Sequence, residues 1–292
     1  MPIPRSGQNG AANIVYAFGF KIVANRNGFP VIIAGLGLLF AIGNEEFHRF
    51  EKLAAQEISS KLEGDSRRVT VHARPRGLGL VAGDLQRVTI DASDFHTDGL
   101  PLYTEPKRSK AGRVRHLDIN LANFTLGKLK VARLKASIPE CRYDLGLALR
   151  HRSIRLSQSC VGDGSVEIEA KPLEAFILSK FHEIKTVTVS LTGDRAFVKG
   201  YGEFLLISSN FEVVARLVSK DARTISLADA DISFDGRPAG ENAKKMLLDT
   251  LNPVVDLDKD LGLHGAIELQ GMRLDANRIM AWGKTKIPDL PN

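Results

Sequence analysis

From Gly64 to the C-terminus, apolar residues return at every second position, and this confines most of the chain to half-buried strands. Val69, Val71 and Ala73 alternate with Thr70 and His72, and Val88, Ile90 and Ala92 with Thr89 and Asp91. Leu117, Ile119 and Leu121 repeat the pattern, as do Val187, Val189 and Leu191, and then Phe211, Val213, Ala215 and Leu217. Successive side chains of a strand point to opposite faces, so each stretch presents one face to a core. Gly83-Asp84, Asp98-Gly99, Gly162-Asp163-Gly164, Gly193-Asp194 and Asp235-Gly236 read as turns between them, which predicts mainly antiparallel neighbours. A last pair of strands is expected near Ala266–Leu269 and Arg278–Lys284. Leu126, Leu129 and Val131 run on to Leu134 and Ile138, and then to Leu145, Leu147 and Leu149, giving strands apolar on both sides. Such strands need two coverings. One is the protein core; the other is a helix layer, a second sheet, a partner or an apolar ligand.

Helical spacing occurs in three places. Asn44 suits an N-cap, followed by Glu45 and Glu46 where negative charge favours a helix start. Phe47, Phe50, Ala54, Ile58 and Leu62 then line one face, with Lys52, Glu57 and Lys61 on the others, and Gly64 ends the helix. This predicts an amphipathic helix over roughly 45–63. Two short helices are expected later. One starts near Pro172 and carries Leu173, Phe176 and Ile177; the other carries Ala243, Met246, Leu247 and Leu251 and stops at Asn252-Pro253.

The first 43 residues differ in kind. They hold no Asp or Glu, only Arg5, Lys21 and Arg26 as charges, and an uncharged apolar run from Gly28 to Gly43. As a helix that run rises about 24 Å, short of a hydrocarbon core of about 30 Å. Its size fits a signal-peptide core, with Ala41 and Gly43 placed for a cut before Asn44. An uncleaved signal-anchor, extended by Ile14–Ala24, is the other reading. Either implies export, to the extracytoplasmic side of a membrane. Residues 1–43 are therefore read as a leader with signal peptide or signal-anchor. No low-complexity linker divides the rest, so 44–292 is read as a single β-rich domain. In an oxidising compartment Cys141 and Cys160, the only cysteines, could form one disulfide; a free buried pair is the alternative.

No HExxH, GxSxG, P-loop or GxGxxG motif is present, and the seven histidines are scattered singly. No catalytic residue, metal site or cofactor is nominated, and a binding protein is expected rather than an enzyme. Asp256-Leu257-Asp258-Lys259-Asp260 resembles the start of a calcium loop, but Leu261 and Ile267 stand where glycine and a bidentate glutamate are needed. It is read as a solvated turn. No two carboxylates single themselves out as a glycosidase pair. The formal charge of +6 favours acidic partners. Lys107, Arg108, Lys110, Arg113 and Arg115 are placed in a loop before the strand at Leu117, and Arg150, Arg152 and Arg155 form a second group beside His151. Near an anionic bilayer each such charge is worth about 1 kcal/mol. Export argues against nucleic acid as the partner.

The order of features, with a leader, the helix EEFHRFEKLAAQEISSKL, the strand entry GLGLVAGDLQRVTIDASDF, the strand LDINLANFTL, the helix KPLEAFILSKF and strands such as TVTVSL, resembles the LmeA-like family of bacterial envelope phospholipid-binding proteins. The likeness covers most of 44–287. The long leader, the basic loop and the Asp-rich turn depart from it. The resemblance implies an α+β fold: a curved, mainly antiparallel sheet wrapped around or packed on a long N-terminal amphipathic helix, as in tubular lipid-binding domains. It implies a phospholipid or other anionic membrane lipid as ligand, and a membrane surface as partner. No motif carries over residue by residue. Periodicity nominates Phe47, Phe50, Ile58 and Leu62 for the acyl chains, and charge nominates Arg108, Lys110 and Arg113 for headgroup or membrane contact. The alternative is a structural or protein-interaction module of the envelope with a closed dry core. An enzyme acting on glycans through unidentified carboxylates is a third reading. Oligomeric state is not legible.

Overall fold

The computed structural model describes residues 15–17, 20–22, 48–77, 83–151, 153–204 and 207–290. The chain divides into two units, Met1–Arg49 and Phe50–Asn292. In the first, β1 (Val15–Ala17) and β2 (Phe20–Ile22) pair as an antiparallel hairpin. The apolar run 28–43 and Phe47 lie outside the described residues. No helix among the described residues is long and apolar enough to cross a membrane.

The second unit is α+β, with two curled sheets. The larger, nine-stranded sheet is ordered β16-β17-β9-β7-β6-β4-β3, from Ile267–Asp275, Arg278–Thr285, Gly162–Glu169, Leu129–Tyr143, Gly112–Leu126, Asp84–Ser93 and Arg68–Pro75. Two short strands extend it: β5 (His96–Thr97) on β6 and β8 (Leu156–Gln158) on β7. The smaller sheet is ordered β10-β11-β12-β13-β14, from Ile184–Thr192, Arg195–Phe204, Ile207–Ser219, Thr224–Phe234 and Arg237–Pro238, with β15 (Val255–Asp256) on β13. Pairing is antiparallel except that β4 and β5 run parallel to β6. The parallel pair has a local cause. Asp98-Gly99 opens a crossover of about a dozen residues rather than a hairpin, which returns the chain to start β6 beside β4.

Four short helices complete the unit: α1 (residues 48–59, of which those from 50 belong here), α2 (Leu145–His151), α3 (Ala170–Lys180) and α4 (Glu241–Leu251). The second corrects the expectation of a strand at Leu145, Leu147 and Leu149. Asp144 caps that turn: its Oδ1 accepts the Leu147 N–H at 2.9 Å, and its carbonyl accepts that of Ala148 at 3.0 Å. An alternation of three leucines is too short to outweigh a capped turn. Gly162-Asp163-Gly164, expected as a turn, lies inside β9. A Cβ at Gly162 would come within 2.0 Å of the Ser137 carbonyl oxygen on β7, so glycine marks a close backbone approach there. Of the expected turns, Gly193-Asp194 and Asp235-Gly236 are two-residue hairpins, where β10 meets β11 and β13 meets β14. At the second, φ is +47° for Asp235 and +75° for Gly236, the left-handed backbone that a tight hairpin requires.

Both sheets turn their apolar faces to one core. Leu173, Phe176 and Ile177 of α3 enter it between Leu129 and Ile279 of the large sheet and Val189 and Phe211 of the small one. Polar ties fix the layers. Glu174, almost fully buried, accepts the Val189 N–H at 3.0 Å, and Asn277 Oδ1 accepts that of Leu191 at 2.9 Å, so side chains occupy donors of edge strand β10. Lys180 Nζ donates to the Pro253 carbonyl at 2.9 Å and pairs with Asp260 at 2.5 Å, securing the loop that carries the Asp-rich turn. In that turn the Asp256 Oδ1 and Asp258 Oδ1 accept backbone N–H groups of Lys259 and Gly265, which makes it a self-bonded corner.

Both cysteines are free thiols. Cys141, in β7, is fully buried, and burial pushes its thiol up to about 11. Only about one in a thousand is then thiolate at pH 8, the reactive form. Iodoacetamide at pH 8 is expected to label half-buried Cys160 at least tenfold faster than Cys141, read by peptide mass spectrometry. Equal labelling of the folded protein would contradict this placement.

Candidate functional site: a cavity beneath the first helix

Helix α1 lies over the part of the large sheet that carries Val71 of β3, Val88 and Ile90 of β4 and Leu117 of β6. It is tied to edge strand β3 by Glu51 Oε1, which accepts the Ala73 N–H at 2.7 Å. Between helix and sheet is a cavity of about 410 Å³. Phe50, Ala54 and Ile58 line it from the helix, and Val71, Val88, Ile90 and Leu117 from the sheet. The same period-two pattern that built the strands therefore makes this wall apolar. A second wall comes from three segments distant in sequence. Thr104 N–H donates to the Pro288 carbonyl at 2.8 Å, Leu290 N–H to the Thr104 carbonyl at 2.9 Å, and Glu105 N–H to the Leu156 carbonyl at 2.7 Å. These bonds place Leu102, Tyr103, Ile154, Leu156 and Leu290 against the cavity.

One end of the lining is charged. Arg155 pairs with Glu57 of α1 and lies 3.5 Å from Glu105, which also takes a hydrogen bond from Arg108 Nε. Ser153 Oγ donates to Glu57 at 3.3 Å. The two carboxylates are thus occupied by guanidinium groups. Lys61, also in the lining, donates to the Pro101 carbonyl at 3.5 Å and has no ion-pair partner among the described residues. Three cations thus stand against two anions in the cavity lining as a whole. The buried Tyr143 contributes its ring, and its hydroxyl donates to the Gly83 carbonyl at 3.1 Å. Burial pushes that phenol up to about 12, so it stays neutral across the physiological range. Gly112 stands opposite it in β6, and a Cβ there would come within 2.5 Å of the ring.

The sequence-nominated residues separate on this geometry. Phe50, Ile58 and Arg108 line the cavity. Leu62 is 4% exposed and packs with Phe95 and Phe124 in the core, beyond the end of the helix proper. Phe47 lies outside the described residues. Lys110 is exposed in the crossover loop. Arg113 and Arg115, expected in that loop, belong to β6, where they pair with Glu140 and Asp84. The strand starts at Gly112, where Gly112 and Val114 are buried on either side of Arg113, and the alternation shifts by one residue before buried Leu117. Ala54 had been placed on the helix stripe but not in the site. Nothing in the sequence assigns Arg155, Glu57, Glu105, Tyr143 or Leu290 to a site: Arg155 meets Glu57 across 98 positions, and Leu290 is placed by its bond to Thr104. Among the described residues no group of three or more His, Cys, Asp or Glu could hold a metal ion. The chain matches no protein-family model, no curated protein and no solved structure.

Proposed function

We propose that the chain is a lipid-binding protein, non-catalytic, that holds an acyl chain between α1 and the curled sheet with its polar head at Lys61, Arg108 and Arg155. The observation that carries this reading is the cavity itself: apolar on the helix and sheet walls, charged at one end. Pockets of this size and lining suit small amphiphiles. Its volume equals that of roughly 14 waters at about 30 Å³ each. A methylene group takes similar space, so the cavity suits one acyl chain, and a second chain of a phospholipid would lie outside it. Each buried methylene contributes about 0.8 kcal/mol, enough to retain a lipid without covalent chemistry. A surplus cation in the lining favours a phosphate or carboxylate head. On this reading α1 and the sheet together form the tubular lipid-binding arrangement, the protein acts at an envelope membrane after export, and Lys107 and Lys110 face the anionic surface. A wholly dry interaction module would leave no role for so large an apolar cavity, whereas the void deeper between the sheets, among Phe124, Leu129 and Ile279, is only about 60 Å³.

Mass spectrometry of organic extracts from the purified protein tests the proposal. Lipid near one equivalent after gel filtration without detergent is the expected result. Protein that is folded, monodisperse and free of lipid would overturn it in favour of the interaction module.

A further inference from the structure

The opposite face of the large sheet is polar, and it carries a second feature that lipid binding does not use. Register places Thr70, Asp91, Asn120, Lys135, Ser165 and Trp282 in one row across six strands. Beside it runs Arg68, Ser93, Ala122 and Arg133. Between β3 and β7 these rows line a shallow groove of about 570 Å³. Its members are of two sorts. Asp94 is held by Arg68, Asn123 and Ser93, and Asn120 donates to Asp91 at 2.8 Å, so these groups are fixed by one another. Arg133 and Lys135, on the groove's floor, are exposed and have no ion-pair partner among the described residues; Glu167, across from Arg133 on β9, pairs with Arg278 instead. Two strands further on, about 10 Å away at ordinary strand spacing, is Trp282. Its ring lies against Gly271, where a Cβ would come within 2.5 Å of Cζ2, and the residue is 45% exposed.

We propose that this face binds an acidic glycan, a sugar chain bearing carboxylate groups. A flat indole backed by a glycine offers its open side to the C–H face of a sugar ring. Free Arg133 and Lys135 supply charge-assisted donors to a carboxylate on a neighbouring unit. The pre-ordered Asp91–Asn120 pair supplies an acceptor and a donor for hydroxyl groups. A row spanning six strands, about 24 Å, suits an extended chain.

Trp282 is the only tryptophan of the chain, so its fluorescence reports this site alone. The full chain is titrated with tetragalacturonate, with maltotetraose as a neutral comparator and with vesicles of anionic phospholipid. Saturable change in Trp282 emission with the acidic tetrasaccharide, weakened at least tenfold by Lys135→Glu and by Arg133→Ala, is the expected result, with copurifying lipid unchanged in both variants. Calorimetry with Trp282→Ala should show no binding. An unchanged emission at millimolar tetragalacturonate overturns the proposal. So does equal response to maltotetraose, or response to vesicles alone.

Discussion

Phe50→Asp is expected to lower the copurifying lipid at least tenfold while leaving the far-ultraviolet spectrum and the unfolding midpoint close to those of the parent. Phe50 reaches the cavity from α1, one turn before Ala54 and two before Ile58, so its side chain meets the apolar part of any ligand. A carboxylate there must either remain ionised against an acyl chain or displace it into water. Removing a charge from water without a partner costs several kcal/mol, and about 1.4 kcal/mol is a factor of ten in affinity. In the empty protein the new carboxylate can turn to solvent, because Phe50 is only half-buried. The cost therefore falls on binding rather than on folding. Ala54→Trp tests the same wall by filling it, since Ala54 is buried over the cavity. Normal loading in both folded variants would remove α1 from the site.

Much of this site was legible because helix and strand periods are local. Phe50, Ala54 and Ile58 share a face by spacing alone, and Val71, Val88, Ile90 and Leu117 do so by alternation. What spacing could not supply was the partner of each charge. Arg155 reaches Glu57 across 98 positions, and Thr104 meets Asp289 across 185. Nothing near Arg155 in sequence sets it apart from Arg150. The basic loop misled for a related reason: charge suggested a loop, yet Gly112 and Val114 already alternate with Arg113 and Arg115, one step out of phase with Leu117, and each arginine meets an acid on a neighbouring strand. Glycine was the other ambiguous letter. Read as punctuation it located Gly193 and Gly236 correctly and Gly162 wrongly, because a glycine can serve backbone conformation or backbone proximity.

That distinction yields a large expected effect on stability. Gly283→Ala should destabilise the protein by more than about 3 kcal/mol, the range reserved for buried steric conflict. Gly283 lies in β17 opposite Leu269, beside the bulge where the register with β16 shifts between Leu269 and Gly271. A Cβ at Gly283 would sit 2.0 Å from the Glu268 carbonyl oxygen, 2.9 Å from its carbon and 3.0 Å from Leu269 Cα. All three are backbone atoms, so no rotamer change relieves the clash, and the strands must part. Parting them exposes Leu269, Ile279 and Ala281, which belong to the shared core. Gly236→Ala is the matched control. Its Cβ would meet nothing within 4 Å, and its φ of +75° gives a conformational penalty of about 1–2 kcal/mol only. Urea denaturation of the two variants separates the causes. A large fall in midpoint for Gly283→Ala beside a small one for Gly236→Ala is expected, whereas equal falls would mean that β17 can yield at the bulge without disturbing the core.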